Sequence, residues 1–139
     1  MKTKTRNEVN VGDELTPLEI PITATLIIGG AIASRDYQDV HHDRDLAQQR
    51  GAKDIFMNIL TTNGLVGRFV TDWAGPEAVL KSVAIRLGAP NYPGDVMRMT
   101  GSVTAVDDGD IEVTIQGANG MGEHVSGAVR LTLPDGGRR

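Results

Sequence analysis

The stretch NILTTNGLVGRFVTDWAGP, Asn58 to Pro76, decides the fold. Ile59, Leu60, Leu65, Val66, Phe69, Val70 and Trp73 recur at helical spacing, and Gly75-Pro76 closes the run as a glycine-proline stop does. Gly64 and Gly67 inside this helix each cost roughly 1 kcal/mol against alanine. Such a penalty predicts a backbone packed closely against the helix, and therefore a buried helix.

Beyond Val79 the hydrophobic period changes to two. KSVAIRL alternates Val83, Ile85 and Leu87 with Ser82, Ala84 and Arg86, and the β-branched runs DVMRMTGSVTAV, DIEVTIQGA and EHVSGAVRLTL follow. YPGD, DDGD and NGMG punctuate them as turns. One long helix followed by antiparallel strands predicts an α+β fold, a sheet wrapped around a central helix. Upstream, EIPITATLII (Glu19 to Ile28) reads as a further strand broken by Gly29-Gly30. Asp43 or Asp45 is placed to cap a short helix through Leu46, Ala47 and Gln48, with Gly51 as its stop.

The chain of 139 residues shows no repeat or linker and is expected to form a single domain over residues 1–139, with polar ends, MKTKTRNE and PDGGRR, that are expected to fray. A net charge of −4 without a basic cluster argues against nucleic-acid binding. The absence of cysteine excludes disulfides, thiolate catalysis and cysteine-based zinc sites. The longest apolar run, Ala24 to Ala33, is too short for a membrane span, so no membrane role and a cytoplasmic location are expected.

Chemistry concentrates in RDYQDVHHDRD, Arg35 to Asp45. A metal site would use His41, His42 and an aspartate, but adjacent histidines on a helix start point about 100° apart and do not converge on one ion. No metal is expected. Asp43 and Asp45 suit a helix N-terminus, where carboxylates accept from free backbone N–H groups. Asp36 and His41 are separated so that an irregular loop could bring carboxylate and imidazole to one pocket and hold a water between them. By spacing alone the signal is weak, and such a pair more often consists of surface residues. Elsewhere GANGMG (Gly117 to Gly122) reads as a hairpin turn and not a phosphate loop, His124 as structural or exposed, and Ser34, Ser82, Ser102 and Ser126 lack a nucleophile-elbow context.

With these residues in view, the sequence resembles the MaoC-like (R)-specific enoyl-CoA hydratases, which have the hot-dog fold. Asp36 and His41 match that family's Asp-x₄-His pair. VGDEL (Val11 to Leu15), A-x-x-x-G (Ala47 to Gly51), Gly64-Leu65 and PGD (Pro93 to Asp95) fall in the family's order. RDYQDVHHDRD, KDIF-x-NIL, VTDWAGP and RLG-x-P are similar to a subgroup of small catalytic subunits that hydrate steroid side chains in actinobacteria. The chain departs from the family at two places. Asn58-Ile59 stands where many members have His-Gly, and Gln38-Asp39 where they have Asn-Pro.

The resemblance implies water addition to a trans-2-enoyl-CoA, giving a 3-hydroxyacyl-CoA, with a bulky or steroid-derived acyl group. Asp36 and His41 would be the catalytic pair, the Ile59 N–H would polarise the thioester carbonyl, and no cofactor would be required. A second MaoC-like hot-dog subunit is the implied partner, in a heterodimer or heterotetramer, with a homodimer as the alternative. Two rival readings remain: a non-catalytic hot-dog partner subunit, and a hot-dog acyl-CoA thioesterase, for which the central helix offers only Asp72. Lys81, Arg86 and Arg98 are equally readable as CoA phosphate contacts or as solvated charges.

Overall fold

The computed structural model describes residues 1–136. Its centre is the expected helix, α3 (Ile59–Ala74), which follows α1 (Ala24–Ala33) and α2 (Arg44–Gln49). Five strands surround it: β1 (Leu18–Pro21), β2 (Val79–Leu87), β3 (Val96–Asp107), β4 (Asp110–Asn119) and β5 (Gly122–Thr132). They form one antiparallel sheet in the order β1-β3-β4-β5-β2. This is the α+β, hot-dog arrangement, with β2 and the short β1 as its edges.

Burial follows the two periods. α3 turns Thr62, Leu65, Val66, Phe69, Val70 and Ala74 inward, and the sheet answers with Met97, Met99, Val103, Ile111, Val113, Ile115, Val125, Val129 and Leu131. At roughly 25 cal/mol per Å² of apolar surface removed from water, this helix-on-sheet contact is the main source of stability. Gly75, in the left-handed region at φ 99°, ends α3 where the sequence places its stop.

Four expectations need correction. The strand expected over Glu19 to Ile28 stops at Pro21, and the apolar run after it is helical. Thr23 caps that helix by accepting from the Leu26 N–H at 3.0 Å. A continuous apolar segment has no period to separate strand from buried helix, and here the cap decides. Gly29-Gly30 is therefore inside α1 and breaks nothing. The close approach expected at Gly64 and Gly67 is also absent within the described residues: nothing lies within 4 Å of a Cβ at Gly64, and only the Leu80 side chain, at 3.6 Å, meets one at Gly67. Close packing against α3 is instead permitted at Gly30 of α1, where a methyl would overlap the Thr61 side chain.

The N-terminal segment does not fray. Lys4 N–H donates to Ala74 O at 2.9 Å, Arg6 N–H to Pro134 O at 3.2 Å, and Thr5 N–H to the Glu8 carboxylate at 2.7 Å. Of the C-terminal segment, residues 137–139 lie outside the described residues, while Asp135 pairs with Arg6 at 2.8 Å. The fourth correction concerns the approach to Asp36, which is the ordered end of α1 and not a glycine-rich irregular loop. Ser34 closes the helix, its hydroxyl donating to Gly30 O at 2.7 Å, and Arg35 takes a left-handed φ of 56°.

Candidate active site

RDYQDVHHDRD separates into groups with different tasks. Asp36 N–H donates to Ala31 O at 2.9 Å, which sets the turn leaving α1, and Gln38 N–H donates back to Asp36 Oδ1 at 3.3 Å. Asp39 to His41 then form one turn of 3₁₀ helix that carries His41 inward. Asp36 and His41 thus come together: Oδ2 and Nε2 are 3.4 Å apart. One water could contact both.

The histidine is held from behind. Its Nδ1 lies 2.6 Å from Phe56 O, and a carbonyl can only accept, so Nδ1 carries the hydrogen. In the neutral ring Nε2 is then a bare acceptor directed at Asp36. Phe56 N–H donates to Val40 O at 3.1 Å, so one segment grips the loop at Val40 and at the His41 ring. His41 is only 6% exposed, and its ring meets Phe56 edge-on at 5.1 Å.

Asp36 is held by the start of α3. Asn58 Nδ2 donates to Asp36 Oδ2 at 3.1 Å and to Ser34 Oγ at 2.9 Å. The Asn58 amide holds the Asp36 carboxyl below its ordinary range, opposed by partial burial and reinforced by the Gln38 N–H and, when its ring is protonated, by the charge of His41. At neutral pH it is a carboxylate. The side-chain role of Asn58 is not visible from motif spacing, although an asparagine immediately before an apolar helical run is an N-cap signal that points to its position.

Of the remaining residues of the stretch, Asp39, Asp43 and Asp45 serve the local structure. His42 is exposed and diverges from the buried His41, and no group of three or more His, Cys, Asp or Glu side chains is placed to share a metal among the described residues. Asp43 is the cap of α2, accepting from Leu46 N–H at 3.1 Å, and Asp45 sits in its first turn. Asp39 pairs with Arg50 at 2.8 Å. Ile59 is the first residue of α3. Its N–H has no partner among the described residues, and its side chain is half exposed.

Two other residues singled out in the sequence resolve differently. His124 is structural: it is buried, with Nδ1 donating to Ala89 O at 2.6 Å and Nε2 accepting from Thr62 Oγ1 at 2.8 Å, which ties β5 to α3. GANGMG holds the β4–β5 hairpin. Lys81 and Arg98 are engaged by Asp110 at 2.9 Å and Glu19 at 3.4 Å, and Asp72 by Arg68 at 3.5 Å, whereas Arg86 is exposed. A groove of about 420 Å³ lies on β3 and β4 beside Glu14 and Arg98, and a hollow of about 330 Å³ lies beside Tyr37, His42 and Arg50. Neither is lined by Asp36 or His41.

A family model, the MaoC like domain, matches residues 6–124. The chain belongs to the MaoC-like domain family. A relative, the 3-oxo-4,17-pregnadiene-20-carboxyl-CoA hydratase beta subunit of Mycobacterium tuberculosis, is 52% identical over 125 residues, which are 90% of this chain and 97% of that protein. Among solved structures, a chain of the ChsH1-ChsH2 complex from Mycobacterium tuberculosis superposes on this MaoC-like chain with a TM-score of 0.88 at 52% identity, covering 89% of this chain and 98% of that one. The unliganded R-hydratase PhaJ1 from Pseudomonas aeruginosa gives 0.86 at 19% identity over 94% and 86% of the two chains, a likeness of fold.

Burial pushes the His124 pKa below its ordinary value of 6.5. A base with a lowered folded pKa binds more protons when unfolded, so its contribution favours unfolding as pH falls through about 6.5. Unfolding free energy measured between pH 8 and pH 5 should therefore fall less steeply for His124→Gln than for the parent.

Proposed function

We propose that this MaoC-like chain hydrates a 2-enoyl-CoA, and the observation that carries the reading is the Asp36–His41 pair with its fixed hydrogen-bond roles. Two acceptors 3.4 Å apart suit a water that donates to both. In the reaction the water oxygen bonds to Cβ of the enoyl thioester as one member of the pair takes its proton. Electrons move through the double bond onto the thioester oxygen, and a proton returned from the pair closes the new C–H bond at Cα. Asp36 and His41 need no further reactant for this cycle.

Charge on the thioester oxygen requires a donor. The free N–H of Ile59 at the N-terminus of a 16-residue helix supports that assignment, since the helix dipole and an unspent N–H both favour a developing oxyanion. The 52% identity to a subunit named for hydration of a steroid-derived acyl-CoA supports a substrate of that class. A cytoplasmic setting is part of the same proposal.

The partner is a second hot-dog chain. β2 is an edge strand of nine residues with Val79 60% exposed, and Ile59 and Leu60 on α3 are each 51% exposed. Unpaired strand edges and exposed apolar side chains are features that association covers. The similarity to a chain of the ChsH1-ChsH2 complex supports a non-identical partner, as a heterodimer or heterotetramer.

Alanine at Asp36 or at His41, assayed in the assembled protein, should lower kcat by roughly 10²–10⁴-fold; activity within a few-fold of the parent in both would sink the reading. Ile59→Pro tests the oxyanion donor separately, because proline is tolerated at the first helical position but has no N–H. It should lower kcat by about 10²–10³-fold with stability retained. Light scattering should show the chain assembling fully only when a MaoC-like partner is co-expressed, whereas a stable, active homodimer would overturn the heteromeric assignment.

A further inference from the structure

We infer that Asn58 is a positioning residue for Asp36: its amide, locked by capping α3, donates to the carboxylate and aims Oδ2 at His41. This rests on the hydratase reading only for its effect on catalysis. The polarity of the network is forced. Thr61 N–H and Thr61 Oγ1 both donate to Asn58 Oδ1, at 3.0 and 2.5 Å, so the other end of the amide must be the NH₂ group. Ser34 Oγ gives its hydrogen to Gly30 O, at 2.7 Å, so towards Asn58 it can only accept. Both N–H groups of Asn58 are then committed, one to Ser34 and one to Asp36.

With 2% exposure, Asn58 has no room to trade these partners for water. Its amide joins the end of α1, the loop bearing Asp36 and the start of α3, so the cap of the buried helix and the orientation of the carboxylate are one structure. Among the groups bearing on Asp36, His41 is the titratable one; Asn58 and the Gln38 N–H are neutral donors. A donor to a carboxylate stabilises its charged form, which is the form able to accept from water.

The test uses two substitutions that retain a good helix cap, because asparagine, aspartate and serine cap about equally well. Asn58→Ser removes the donor, and Asn58→Asp replaces it with a second negative charge. Two readouts are taken: the pH dependence of kcat in the assembled protein, and the titration of the Asp36 carboxyl carbon by NMR. Both variants should titrate at higher pH than the parent, Asn58→Asp more so, and kcat on the acid side should fall by roughly tenfold for each unit of that displacement. KM should change little, and raising the pH should restore much of the activity. An unchanged Asp36 titration in both variants overturns the inference. The NMR readout does not require hydration, so an inactive parent would reject the functional reading while the Asp36 titration still decides the positioning role of Asn58.

Discussion

Burying α3 against the sheet imposes the constraint on which the other features depend. A helix end leaves backbone N–H groups without intrahelical partners, and next to a packed core these need acceptors. Asn58 supplies two, with its side-chain oxygen on Thr61 N–H and its backbone oxygen accepting from Thr62 N–H at 3.3 Å. An amide that accepts at one end must donate at the other, and the donors fall on Ser34 and Asp36. Helix burial is in this way connected to the state of a carboxylate that carries the proposed chemistry. The Ile59 N–H, one residue on, is left unspent at the same helix end.

His41 and His124 show the same solution applied to two purposes. Each gives its Nδ1 hydrogen to a backbone carbonyl at 2.6 Å, Phe56 O in one case and Ala89 O in the other, and each thereby exposes Nε2 as an acceptor. The purpose is set by the group that Nε2 meets. For His124 it is the Thr62 hydroxyl, and the interaction is complete inside the core. At His41 the neighbour is a second acceptor, Asp36 Oδ2, and two acceptors face to face call for a donor that neither supplies. Water is the donor that a hydration reaction requires.

The same chain leaves other needs unmet. β2 presents an open edge, and apolar side chains of α3 remain half exposed. These lie on the edge strand and the helix that also shapes the proposed site, so association and chemistry draw on the same elements. A surface with unpaired backbone groups and exposed apolar residues gains by pairing with another sheet.

By itself the sequence determined the elements whose periodicity is long and regular. α3 and β2 to β5 are readable because burial on one face imposes a repeat of 3.6 or two residues, and because glycine, proline and aspartate punctuate the ends. The Asp36–His41 pair is readable through its resemblance to a family motif; its spacing is neutral. α1 reads wrongly as strand because an apolar run without a polar face carries no period, and the close contact expected at Gly64 is absent there but present at Gly30 and other glycines because glycine states a permission and not a neighbour. Tertiary structure alone decided what Asn58, Phe56 and Thr62 contribute, since their partners lie 22, 15 and 62 residues away. Hydrogen bonds of that kind depend on where folding brings two segments together, and no local pattern records it.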